Sequence, residues 1–192
     1  MPSREFWDER YRSGETPWDY GGVQPEFAEF FEQRPEVRRL LIPGCGTGHE
    51  VRAARDAGIE VTGIELSPEA AQRAKGRLGD GGEAIITGDF FTYPFSEDEF
   101  DAIYERTFLC AISPEQRPAY VKRMCELLKP GGFLFGFFLF GEESDPPPYP
   151  LAPDEDRELF EPDFEQIDSA PSRAPLPFFG EMERWQVWRK RT

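Results

Sequence analysis

A chain of 192 residues, 39% hydrophobic and 15% aromatic, has room for one domain with a sizeable core and lacks the composition of a disordered segment. Its 22 Lys and Arg stand against 37 Asp and Glu, a formal net charge of −15. Such a surface repels phosphate backbones and anionic bilayers, so neither nucleic acid nor a membrane is expected as a partner.

The three cysteines, Cys45, Cys110 and Cys125, show no paired spacing and read as reduced thiols of a cytoplasmic protein. One histidine, His49, and no zinc-ligand spacing lead to the expectation of no metal. The charged start MPSREFWDER has no apolar signal core, and the longest apolar run, around 133–140, is too short for a bilayer. A monomer is expected from the short chain and its strong charge.

Residues 4–12 suit a short helix with Trp7 and Tyr11, four apart, on one face. SGETPWDYGGVQP is broken by Gly and Pro and reads as loop; a helix follows from Pro25, with Phe27, Phe30 and Phe31 at helical spacing. Leu40, Leu41 and Ile42 predict a buried strand ending at Pro43-Gly44. After GCGTG, residues 49–57 suit a helix closed by Gly58, and 59–66 read as a second strand. Ser67-Pro68-Glu69 has the residues of a helix start, with Ala70, Ala74 and Leu78 recurring along that helix. GDGG at 79–82 predicts a turn, 83–87 a third strand and 100–105 a fourth.

Ser113-Pro114-Glu115-Gln116 has a capping-box pattern, with Pro118 expected to delay or kink the following helix. LKPGG reads as a turn before a central strand over 133–140, apolar on both faces, and the acidic, Pro-rich 141–157 reads as an exposed loop. Two further strands are expected near 164–169 and 182–189. The alternation predicts a single α/β domain, Rossmann-like and doubly wound: a mostly parallel seven-stranded sheet with helices on both faces and an antiparallel C-terminal hairpin.

Chemistry concentrates at strand ends. Gly44-Cys45-Gly46-Thr47-Gly48 lets a ligand approach the backbone beside a helix N-terminus, although a dinucleotide or a mere tight turn fits the same pattern. Glu65, ending the second strand, is placed to accept both hydroxyls of a ribose. Asp89 and Phe90 follow the third strand, suited to an adenine amino group and ring face. Arg106, Thr107 and Phe108 follow the fourth, at the edge where open α/β sheets bind ligands. The spacing Gly-x-Gly-x-Gly, followed by His49-Glu50, departs from the dehydrogenase fingerprint, and a Walker lysine is absent.

LLIPGCGTGHEV, VTGIELSP, GDFF and LLKPGGFL resemble the successive motifs of class I S-adenosylmethionine-dependent methyltransferases. FWDERYRSGETPWDYG and YERTFLCAI resemble, more narrowly, the thiopurine S-methyltransferase and thiol, halide and thiocyanate methyltransferase superfamily, the likeness running from about residue 6 to 133. The resemblance implies S-adenosyl-L-methionine as cofactor, S-adenosyl-L-homocysteine as product, and a helical lid within residues 1–36. Trp7, Tyr11 and Trp18 would form that lid over the methionine end. Gly44, Cys45 and Gly46 would line the methionine and ribose. Glu65 would hold the ribose hydroxyls, Leu66 and Ser67 beside it would also bind the cofactor, and Asp89 and Phe90 would flank the adenine. Arg106 would sit near the sulfonium and the substrate, with Trp18 and Arg106 as the positioning pair of the catalytic step. Pro147-Pro148-Tyr149 resembles a family loop on the substrate side.

The expected activity is methyl transfer to a small soft nucleophile: a thiol, hydrosulfide, thiocyanate, halide, thiopurine-like or selenium or tellurium species. A small-molecule O- or N-methyltransferase, a non-catalytic cofactor binder and a nicotinamide dehydrogenase remain as alternatives. The sulfonium leaves as a neutral thioether, so alignment and exclusion of water should dominate, without a dedicated general base.

Overall fold

The computed structural model describes residues 2–142 and 146–192; part of the loop predicted over 141–157 therefore lies outside the described residues. Seven strands order as β3-β2-β1-β4-β5-β7-β6. The chain divides into two compact units, residues 2–94 and 95–192, each described by itself.

In the first unit, α1 (Arg4–Ser13) begins where the Ser3 hydroxyl accepts the Phe6 N–H at 3.2 Å and ends at Gly14. Helix α2 (Pro25–Gln33) starts on proline and buries Phe27 and Phe30. Strand β1 (Arg39–Pro43) carries the wholly buried run Leu40, Leu41 and Ile42. Next come α3 (His49–Asp56), β2 (Glu60–Glu65), α4 (Pro68–Leu78) and β3 (Ile85–Thr87). The three strands are parallel, with Leu41 opposite Thr62 and Gly63 opposite Ile85. Ser67 caps α4, its Oγ accepting the Ala70 N–H at 3.1 Å, and Ala70, Ala74 and Leu78 form the buried stripe. The third strand is shorter than predicted. Gly81 is buried against the Arg55 guanidinium, which donates to its carbonyl at 3.3 Å, so the chain stays coiled in a 3-10 turn through Ala84.

In the second unit, β4 (Phe100–Arg106) pairs in parallel with β5 (Leu128–Leu139). Helix α5 (Arg117–Leu127) follows a 3-10 turn over Pro114–Gln116. Pro118 delays the helix as expected and lies in its first turn, where a missing N–H removes no helical bond. The LKPGG stretch joins β5 through a register irregularity between Phe100 and Ala102 instead of standing apart as a turn. Strand β7 (Glu183–Lys190) is antiparallel to both its neighbours, β5 and β6 (Phe164–Pro171), giving the expected antiparallel C-terminal pair.

Within the stretch read as loop, Leu151 is buried and α6 (Glu155–Phe160) forms. Six residues are too few to hold a helix alone. Tertiary contacts hold this one: Gln186 donates to buried Asp156 at 2.6 Å, and Phe160 sits among Tyr120, Phe138, Phe164 and Trp188. Among the described residues no helix is long and apolar enough to cross a membrane.

Strands β4 and β5 approach closely at Gly136. Its φ is +144°, and a Cβ there would lie 1.9 Å from the Glu105 carbonyl oxygen, which is backbone and cannot step aside. Gly136→Ala is therefore expected to destabilise by about 4 kcal/mol or more. Urea unfolding beside the unmodified protein checks this; a loss under ~1 kcal/mol would show that the two strands can separate cheaply.

Candidate active site

The strand ends of the first unit converge on Glu65. This carboxylate closes β2, is 6% exposed, and accepts the Gly46 N–H and the Ser67 N–H, each at 2.9 Å, one on each oxygen. Burial pushes its pKa up, while the N–H groups of Ser67, Gly46 and Leu66 favour the charge. A carboxylate oxygen can accept two hydrogen bonds, so each keeps acceptor capacity for a diol. Hydrogen bonds to charged groups are each worth about 1.5–3 kcal/mol. Glu65 thus fixes the glycine loop before α3 and the start of α4 at once.

The glycine loop is shaped for close approach. Gly44 and Gly46 hold φ of 58° and 53°, and a Cβ on Gly46 would come within 3.0 Å of the Tyr11 hydroxyl. The Cys45 side chain turns away from the loop surface: its sulfur would be 2.7 Å from a Cβ on Gly63 of β2. Burial, then the Glu65 charge, drive that thiol's pKa well up, so Cys45 offers the loop its backbone and no thiolate.

The N-terminal aromatics stand at this loop. Tyr11 is buried and accepts the Trp18 Nε1–H at 3.2 Å, and its ring meets Trp18 edge to face with centroids 5.9 Å apart. Trp7 meets Trp18 the same way at 5.4 Å, and both indoles are partly exposed. Burial, with the Glu65 charge, keeps Tyr11 a neutral phenol.

Two polar hooks that the sequence reading missed hold this segment in place. Asp8, 8% exposed, accepts from the Ser67 hydroxyl, from the Glu69 N–H at 3.1 Å and from Arg12 at 2.7 Å. Burial works against its charge, yet these donors hold its carboxyl below the ordinary range. Asp19 accepts from the Thr47 hydroxyl at 3.0 Å and from the Gly21 N–H at 2.8 Å. Nothing local marks either residue, since their partners lie 59 and 28 positions away. Ser67 itself is fully buried, with its hydroxyl engaged by Asp8 and Ala70, so its part is to join α1 to α4.

Leu66 is half-buried beside Glu65. Asp89, beyond β3, accepts the Phe91 N–H at 2.8 Å on Oδ1. Phe90 is 3% exposed; Phe91, 5.4 Å away, is half-buried and the more accessible ring. The donor set fits an adenosylated cofactor: a buried acid with spare acceptor capacity for a diol, backbone that tolerates close approach, a carboxylate for an amino group, and aromatic surface. Among the described residues no cluster of His, Cys, Asp and Glu is able to hold a metal.

In the second unit, Arg106 ends β4. It is 8% exposed, its Nη1 lies 3.6 Å from Glu183 Oε1, and its guanidinium covers the Phe137 ring at 5.0 Å. Thr107 follows at φ 57°, a strained conformation for a β-branched residue. Glu105 stabilises it, accepting the Phe108 and Leu109 N–H groups at 2.9 Å and the Tyr120 hydroxyl at 2.6 Å. Tyr149 of the predicted substrate-side loop donates its N–H to the Cys110 carbonyl at 2.7 Å.

With this geometry in view, the comparisons with known proteins decide the family. The family model for thiopurine S-methyltransferase matches residues 2–176. This chain belongs to the thiopurine S-methyltransferase family. It is 34% identical over 191 residues to a probable thiol methyltransferase 2 of Arabidopsis thaliana, covering 96% of this chain and 84% of that one. It is 36% identical over 152 residues to thiocyanate methyltransferase 1 of Brassica oleracea, covering 76% and 67%. Among solved structures, the 1,6-didemethyltoxoflavin-N1-methyltransferase of Burkholderia thailandensis, with bound 1,6-didemethyltoxoflavin and S-adenosylhomocysteine, superposes with a TM-score of 0.78 at 20% identity over 98% of this chain and 87% of that one, which establishes the shared fold. As a member of the family, the protein is an S-adenosylmethionine-dependent methyltransferase, and its sheet is the Rossmann-like sheet of that class.

Glu105 supplies a pH test. Burial lifts its pKa from the usual 4.5 to about 7, against the bonds from Tyr120, Leu109 and Phe108. Its stabilising contribution is therefore complete below pH 4.5 and is lost as pH rises through 7, a difference on the order of 3 kcal/mol. Glu105→Gln, which keeps the oxygen facing Phe108 and Leu109, is expected to flatten the fall in stability between pH 5 and 8. Urea midpoints across that range measure it, and an unchanged slope would assign the pH dependence elsewhere.

Proposed function

We propose that this chain methylates a small soft nucleophile, a thiol or a chemically similar sulfur, halide, selenium or tellurium species, with the first unit holding the cofactor. The single observation that carries the reading is Glu65: a buried acid, tied to the glycine loop and to the start of α4, with acceptor capacity for a ribose diol. Support for the acceptor class comes from the family and from relatives named for thiol and thiocyanate methylation.

When bound, S-adenosylmethionine supplies a methyl group on a sulfonium, and its neutral leaving group needs no acid. The residues of the chain then divide the remaining work. Glu65 binds the diol, with Leu66 and the Gly44, Cys45 and Gly46 backbone lining the approach. Asp89, with Phe90 and Phe91, receives the adenine. Trp7, Tyr11 and Trp18 exclude water and offer aromatic surface to a cation. Arg106 acts on the acceptor. A cytoplasmic, monomeric enzyme is the accompanying proposal, supported by three free cysteines and by the strong net charge.

The deciding assay is S-adenosylhomocysteine formation by the purified protein with hydrosulfide, an aryl thiol or iodide, beside a control without acceptor. Turnover above the control is expected with a sulfur acceptor; activity confined to phenols or amines would move the protein to O- or N-methylation. The lid has its own test. Trp7→Ala with Trp18→Ala is expected to lower kcat/KM by at least ~10-fold in protein that still folds. Unchanged turnover in a folded double variant would remove the lid from the mechanism.

A further inference from the structure

Two of the ten residues of α1 are buried, Asp8 and Tyr11. A helix this short does not persist alone, so its order depends on where those two side chains rest. Asp8 Oδ1 accepts from the Ser67 hydroxyl and from the Glu69 N–H at 3.1 Å, both at the start of α4, while Oδ2 accepts from Arg12 at 2.7 Å. The Tyr11 hydroxyl stands against Gly46, where a Cβ would lie 3.0 Å from it. Ser67 and Gly46 are the same two residues whose N–H groups Glu65 accepts at 2.9 Å. Helix α1 thus rests on the two points that Glu65 clamps.

Two effects of Asp8 on Glu65 oppose each other. Burial raises the Glu65 pKa, and the like charge of Asp8 acts in the same direction, against the N–H groups of Ser67, Gly46 and Leu66. By its bonds to Ser67 and Glu69, Asp8 also fixes the start of α4, and with it the Ser67 N–H that Glu65 accepts. The Asp8 charge is a weaker influence on Glu65 than the Ser67 N–H bond. The positive end of α4 and the Arg12 guanidinium offset that charge further. Position therefore outweighs repulsion.

We infer that Asp8 is a positioning residue for the cofactor: acting through Ser67, it holds α1 and Glu65 in one arrangement, so that the seating of α1 and the binding of an adenosylated ligand at Glu65 reinforce each other. The inference rests on the proposed function in one respect, that the first unit holds the cofactor. Coupling of this kind is reciprocal. Whatever the seated helix adds to ligand affinity, the ligand returns as order in the helix. The effect falls on cofactor binding and leaves the transfer step itself unchanged.

Calorimetric titration of S-adenosylhomocysteine into the unmodified protein, Asp8→Asn and Asp8→Ala measures the coupling, together with amide hydrogen exchange of α1 in the free and bound forms. Asp8→Ala should raise Kd at least ~10-fold, within the range of about 5–150-fold usual for coupled sites. Asp8→Asn keeps an oxygen for Ser67 and Glu69, so its Kd should fall between the other two. In the unmodified protein the ligand should slow exchange in α1 at least ~5-fold; in Asp8→Ala that slowing should disappear while the Gly46 N–H stays protected. A purely structural role would lower the urea midpoint of Asp8→Ala and leave Kd within ~2-fold, which overturns the inference. Tighter binding in Asp8→Ala, the outcome if the like charge dominated, overturns it as well. If Asp8→Ala does not fold, the unmodified protein still decides: exchange in α1 that ignores the ligand overturns the coupling. Failure of the unmodified protein to bind S-adenosylhomocysteine overturns the proposed function and the inference with it, whereas binding without turnover on any acceptor overturns the proposed function alone.

Discussion

The first unit depends on one buried carboxylate. Glu65 sits where β2 ends, with the glycine loop on one side and the start of α4 on the other, and it accepts a backbone N–H from each. Two chain reversals that share no local sequence are thereby given one fixed geometry. Desolvation works against the charge, and the N–H groups aimed at it are what make the ionised form tolerable. An acid held this way can accept further hydrogen bonds without rebuilding its surroundings.

The aromatic segment at the N-terminus is held by polar hooks as well as by packing. Trp7 and Trp18 are partly exposed and packed edge to face, and Tyr11 is buried. Asp8 on Ser67 and Asp19 on Thr47 tie this segment to the start of α4 and to the glycine loop.

Buried acids also organise the second unit, with a different result. Glu105 holds the strained backbone at Thr107, and Glu183 holds the loop before β7 while meeting Arg106. Arg106 is thus a charge whose effect is set by its neighbours. In sequence, an arginine at a strand end reads as an attractor of anions; in the structure it belongs to a buried pair.

The motifs on local strand-turn-helix units were legible in the sequence because each is a short-range device. A run of three apolar residues, a glycine loop and Ser-Pro-Glu specify their own strand, turn and helix start, and together they gave the α/β class, the family and the placing of Glu65. The antiparallel C-terminal pair was legible for the same reason. Tertiary structure alone decided the partners of Asp8, Asp19, Glu105 and Glu183, the helix at Glu155–Phe160, and the turning of Cys45 away from the loop surface. Each depends on groups distant in the chain. A carboxylate's role is set by whichever donors the fold brings to it, and no periodicity or spacing records them.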